Sequence, residues 1–144
     1  PETMNQLNGY RIHPLNYWWN YLLGQLPLIL IGASENVILL YFVLSSIVAA
    51  FQHANIDSRN GMLNLIFSTN EVHRWHHTRD PAVGFKNHGT VIMLWDWVFG
   101  SYYLKPADNQ MPVGLINYYR YPKQQFLRQL IVPFCWTRCV LGKR

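Results

Sequence analysis

The chain has 144 residues, room for one domain with its own core, but only 13% of them are charged while half are hydrophobic and 15% aromatic. An ordinary soluble domain carries roughly 25% charged residues, so a wholly water-exposed fold is disfavoured. The net charge of +5 lies entirely in the C-terminal part, which has six basic residues and no acidic one from Arg120 onward, against six basic and seven acidic before it. These cations alternate with Phe126, Leu127, Leu130, Ile131 and Trp136, a mixture that suits a membrane surface rather than nucleic acid.

In chain order, residues 15–32 ("LNYWWNYLLGQLPLILIG") are apolar and aromatic, diluted by Asn16, Asn20 and Gln25, with Pro27 placed to kink a helix. After Gly32-Ala33-Ser34 a second apolar run follows, with Ser45 and Ser46 its only polar residues between Val37 and Phe51. A helix from Ser34 to His53 would be about 30 Å long, the thickness of a bilayer core. Residues 15–53 therefore read as a membrane-embedded helical hairpin, either spanning or dipping in and returning, with His53 at the exit of its second helix.

"NIDSRNG" (55–61) is a turn by composition. Ser68 and Glu71 have capping-box spacing, which predicts a helix running from Ser68 through the following histidines and stopping before Pro81. Residues 82–89 read as a loop, and "TVIMLWDWVF" from Thr90 as a short helix closed by Gly100. Cys135 and Cys139 form no disulfide framework or zinc knuckle by pattern and are expected to be free thiols. The whole reads as a single all-α domain: a membrane hairpin over about 15–53, a histidine region over about 54–104 and a basic tail over about 105–144.

The chemistry concentrates in "EVHRWHHTRDP". His73 and His76 are separated by three positions and His73 and His77 by four, so on a helix the three rings share one face. A metal ion offsets the cost of keeping several imidazoles together and neutral, and imidazole nitrogen suits iron, zinc and copper alike. The residue after His73 is Arg74, which excludes the His-Glu-x-x-His pattern of zinc proteases. His53, returning from the membrane exit, is a fourth candidate ligand. His13, before a proline, and loop-borne His88 are further candidates. Asp96 is a lone carboxylate in an apolar stretch, which must either pair with Arg74 or Arg79 or orient a ligating histidine.

His-Arg-x-His-His-x-Arg-Asp (73–80), Lys86-Asn87-x-Gly89 and Leu94-Trp95-Asp96-x-x-Phe99-Gly100, preceded by "RIHP" and "FQHANI", resemble the C-terminal half of the fatty acid hydroxylase / sterol desaturase superfamily. The match covers roughly residues 1–104, with His88 standing where the family is usually aromatic and Thr69-Asn70 in place of its Thr-Pro.

The resemblance implies an integral-membrane enzyme with a histidine-rich di-iron centre on the cytosolic face of the bacterial inner membrane or endoplasmic reticulum. Its ligands would include His73, His76, His77 and His53, with Asp96, Asn87 and Arg79 in supporting positions. It also implies O2 activation, hydroxylation or desaturation of a lipid C–H bond, and electrons from a reductase system. The family's further motifs, HxxxH and HxxHH, would stand upstream of Pro1, so the chain is expected to be the C-terminal portion of such an enzyme. Two other readings fit the residues: a non-catalytic membrane remnant binding one metal ion, and a membrane haem protein using paired histidines.

Overall fold

The computed structural model describes residues 4–5, 9–10, 12–106, 111–114 and 121–140. Every regular element among them is helical, and pairing between extended segments is confined to two isolated antiparallel bridges, Phe67–Ile92 and Thr78–Val113.

Pro14 opens helix α1 (Pro14–Asn20) at a position where its missing N–H costs nothing. The run continues through a π-helical turn (Tyr21–Gln25) into α2 (Leu26–Leu30). The kink expected at Pro27 takes this form because the proline cannot donate and its ring crowds the carbonyl four residues back. Widening the turn relieves both, with Leu26 N–H reaching Tyr21 O.

Gly32, at φ +77°, reverses the chain, and α3 (Glu35–Gln52) follows with Glu35 in its first turn, where the helix dipole favours an acid. At 18 residues, about 27 Å, α3 is the one helix among the described residues long and apolar enough to cross a membrane. Gln52 is its only buried residue, whereas Leu39, Leu40, Phe42, Leu44 and Ile47 on several faces are all exposed. A helix that is apolar all round and uncovered suits hydrocarbon or the apolar faces of further helices rather than water. Its Ser46 hydroxyl donates to Phe42 O at 2.8 Å, leaving no unsatisfied donor there. The first apolar run is too broken to count as a second span of this kind. It meets α3 at Gly24, where a Cβ would lie 3.0 Å from Tyr41 Oη.

Beyond α3 the interior is polar and hydrogen-bonded. Gln52 donates to Ser68 O and Thr90 O, Thr69 to Asn64, and Asn64 to Glu71. Asn70 donates to Ile56 O and accepts from Ser58 and Asn60, while Arg74 donates twice to Asn55. This network surrounds α5 (Asn70–His76) and locks it against the C-terminal end of α3. The cap of α5 lies one residue later than the sequence suggests: Thr69 accepts from Val72 N–H, and Glu71 bonds Asn60 and Asn64 instead of closing a box. The helix also ends early, with His77 as its C-cap.

The short helices α4 (Leu63–Ile66) and α6 (Leu94–Val98) are stitched together by Met93 N–H to Ile66 O and Trp97 Nε1–H to Leu65 O. Ile92 is held in the bridge to Phe67, so α6 starts at Leu94 and not at Thr90. Gly100 follows it at φ +66°, as the sequence suggests. In the tail, α7 (Phe126–Ile131), a 3-10 turn (Val132–Phe134) and α8 (Trp136–Cys139) succeed one another. Contrary to the free thiols expected, Cys135 and Cys139 are disulfide-bonded, because one turn of α8 brings their Cα atoms to 5.4 Å.

Candidate metal centre

Helix α5 presents His73, and its cap His77, toward the end of α3, where His53 is the C-cap. Ring centroids are 4.8 Å apart for His53–His73, 5.1 Å for His53–His77 and 4.7 Å for His73–His77. One nitrogen from each of the three lies within 4.8 Å of the others, a grouping able to hold a metal ion.

A further observation fits a cation. His73 Nε2 and His77 Nε2 stand 3.0 Å apart, and two imidazole nitrogens at right angles about an ion, each at about 2.1 Å, are separated by about 3.0 Å. Without an ion the two rings share a hydrogen bond at this distance; with one, the spacing would suit neighbouring corners of a coordination sphere better than opposite sides of a haem iron. The ring's other nitrogen, His73 Nδ1, is buried without a hydrogen-bond partner among the described residues.

The supporting contacts fix which nitrogen points inward. His53 Nδ1 sits 2.8 Å from Ala49 O and His76 Nδ1 sits 3.0 Å from Lys86 O. A carbonyl can only accept, so each Nδ1 carries the proton and each Nε2 keeps a lone pair. Burial, followed by the neighbouring rings of His77, His53 and His76, holds His73 well below the ordinary histidine value. His77 falls to about 3, through burial and then the nearby His76 and His53. His76 is lowered chiefly by burial, with the Lys86 carbonyl and Asp96 opposing. The three rings are therefore neutral donors at physiological pH.

The other candidate residues separate. His88 packs edge-on against His76 at 5.2 Å while its own Nε2 meets Phe85 O at 3.0 Å. His13 lies elsewhere: its Nδ1 caps α1 by accepting from Leu15 N–H, and its Nε2 bonds Leu130 O at 3.2 Å, so both nitrogens are spent.

Asp96, almost fully buried, accepts from His88 N–H at 2.8 Å, Gly89 N–H at 2.7 Å and the Ser101 hydroxyl, rather than from an arginine. Asn87, fully buried at φ +56°, donates to Val72 O on α5 and to Tyr103 O, and accepts from Tyr103 N–H. Together they fasten the Lys86–Gly89 loop whose first carbonyl orients His76. Arg79 donates to Val113 O, and with Arg79 N–H to Pro112 O and Gly114 N–H to His77 O it holds residues 112–114 beside the histidines.

The histidines open into a cavity of about 380 Å³. Its remaining walls include Ile12, Asn16, Trp19 and Asn20 near α1 and Val113 and Gly114 from the strap. The sequence reading gave these residues no role, although two amides four positions apart in an apolar run were a signal for them.

Residues 1–101 match the family model described as fatty acid hydroxylase. The ornithine lipid hydroxylase OlsE of Rhizobium tropici is 34% identical over 96% of this chain and 41% of its own length. The alkylglycerol monooxygenases of Caenorhabditis elegans and Homo sapiens are 31% and 36% identical over 57% and 51% of this chain, but over only 16% and 17% of theirs. The chain thus spans less than half the length of these relatives, and no solved structure matches it. With its histidine centre and these similarities together, the chain belongs to the fatty acid hydroxylase family.

Proposed function

We propose that this chain carries part of the metal centre of an iron-dependent lipid hydroxylase embedded in a membrane. The observation that carries this reading is the junction of His53, at the end of the bilayer-length helix, with His73 and His77 of α5 within ligand distance of one another. A donor set of that kind, located where a lipid chain leaves the bilayer, suits oxidation of a lipid C–H bond.

His53, His73 and His77 would hold one iron ion, and His76 would present Nε2 toward a second. Iron held there would supply O2 activation, with electrons from a reductase system. The chain's own residues do the rest. Ala49 O and Lys86 O keep Nε2 of His53 and His76 turned inward. The Asp96- and Asn87-fastened loop stops His76 from rotating, and Arg79 keeps the 112–114 strap against the histidines. Helices α1–α2 and α3 form a membrane hairpin, with the histidines and the basic tail on the cytosolic face of a bacterial inner membrane or endoplasmic reticulum. Since the named relatives are hydroxylases and monooxygenases, hydroxylation is favoured over desaturation.

The test is expression of the chain in a membrane host, with iron analysis of the purified protein and mass spectrometry of the lipid extract. Iron bound to the chain and lost with His73→Ala is the expected result; lipids heavier by one oxygen atom are expected only where the rest of the centre's ligands are also supplied. Protein that binds no iron in the membrane defeats the reading.

A further inference from the structure

Helix α1 sits in an apolar, aromatic segment whose other side chains (Leu15, Tyr17, Trp18) point outward and are exposed. Two amides, exposed like their neighbours, interrupt the apolar run. Asn16 and Asn20, one helical turn apart and so on one face, both line the cavity that His53, His73, His76 and His77 line. Neither side-chain amide is engaged by another described residue. Uncharged amides facing hydrocarbon are costly, and polar groups within membrane segments turn toward protein or a cavity that uses them.

The rest of the lining narrows what the amides would meet. Among the described residues of the lining, the hydrogen-bonding side chains are these two amides, the Trp19 indole and the histidines, with no carboxylate, lysine or arginine. At about 380 Å³ the space is at the small end of ligand pockets. It suits a headgroup and its first methylenes, not a whole diacyl lipid. An asparagine amide both donates and accepts, so the pair matches a neutral group that does the same or either alone.

We infer that Asn16 and Asn20 bind the neutral hydrogen-bonding part of a lipid head (an amide, ester or hydroxyl) and thereby set oxidation close to the headgroup rather than deep in the acyl chain. The inference rests on the lipid-oxidation reading above. The amides bring the head to the histidine wall, the acyl chain runs out past Trp19 into the bilayer, and the carbon nearest the metal centre lies a few bonds from the head. A hydrocarbon lacking the polar group leaves both amides unpaired and is rejected for that reason.

The experiment uses the full 144-residue chain in detergent and needs no turnover. The native cysteines are paired, so Ile12→Cys in the cavity wall supplies a sole reactive thiol, whose rate of maleimide labelling is followed. Two probes of matched shape are added, N-dodecylacetamide and 2-methylpentadecane. The amide is expected to protect the thiol at about tenfold lower concentration than the alkane, and Asn16→Leu with Asn20→Leu should bring the two probes to parity. Cobalt binding followed by absorbance reports whether the double variant keeps its histidine centre. If it does not, the single variants are used, each expected to lose part of the preference. Equal protection by the two probes, protection by neither, or a preference that survives in both leucine variants overturns the assignment. A chain that binds iron through His73 yet shows parity defeats only the headgroup assignment, and one that discriminates the probes without binding iron defeats only the oxidation reading.

Discussion

Imidazole identity alone does not make a ligand; what each nitrogen already touches decides. His53 and His76 spend Nδ1 on a carbonyl and keep Nε2, His73 and His77 meet through their Nε2 atoms, and His13 spends both nitrogens. Alanine at His53, His73 or His77 should therefore lower metal affinity by more than the roughly 10- to 100-fold typical of a lost supporting contact, measured by titration with a chromophoric chelator. His13→Ala should leave affinity unchanged and cost about 1 kcal/mol of stability through the lost cap. His88→Tyr should keep the metal stoichiometry, since the His88 ring rests on His76 from outside the cavity; loss of metal in this variant would make His88 a ligand. The three clustered histidines were legible because helical spacing puts them on one face. The state of each nitrogen was not, because the acceptors Ala49 O and Lys86 O are backbone atoms brought in by folding.

Among the elements, the Lys86–Gly89 loop carries the tightest constraints. Its conformation is set by a buried carboxylate on α6 and a buried amide at positive φ, and a Cβ at Gly89 would fall 2.5 Å from Ile92 O. Asp96→Ala strands the N–H groups of His88 and Gly89, and at roughly 1–3 kcal/mol per unsatisfied buried donor it should cost about 3 kcal/mol or more. Asp96→Asn turns one acceptor into a donor facing a donor and should be little better. Chemical denaturation in mild detergent checks both; a loss under about 1 kcal/mol for Asp96→Ala would show that water replaces the carboxylate. Motif spacing made this loop legible as a unit, and Asp96 as a group needing partners. The partners themselves depend on Ser101 and on backbone N–H groups, so an arginine was the natural wrong candidate. The same limit moved the α5 cap: Ser68 and Thr69 are both good caps by type, and only the Ser68 N–H to Val91 O bond, made across the chain, draws Ser68 out of that role.

At the scale of the molecule, large apolar side chains are widely exposed, while among the described residues the inside mixes Val72, Met93 and other apolar groups with buried amides, hydroxyls, a carboxylate and a guanidinium. Composition foretold this, since charge is too scarce to coat a soluble surface. It did not foretell that the first apolar run would break into α1, a π turn and α2, leaving α3 alone with a span's length. The proposed hairpin has two possible arrangements, and they differ at the reversal around Gly32. If both limbs cross, Ala33 emerges on the face opposite the histidines; if the pair dips and returns, Ala33 stays in hydrocarbon. At about 27 Å, α3 is slightly short of a bilayer core of about 30 Å, and tilting would shorten its reach further. Single cysteines at Arg59, after α3, and at Gln124, before α7, should label with an impermeant maleimide from the same side of sealed vesicles, because His13 Nε2 ties the start of α1 to Leu130 of α7, and a Cβ on Gly9 would touch the His53 ring at the end of α3. Labelling of Arg59→Cys and Gln124→Cys from opposite sides would break the hairpin altogether. Ala33→Cys is expected to label from the opposite side, slowly, since the shortness of α3 should hold the turn near the far headgroups; no labelling from either side would instead favour the dip.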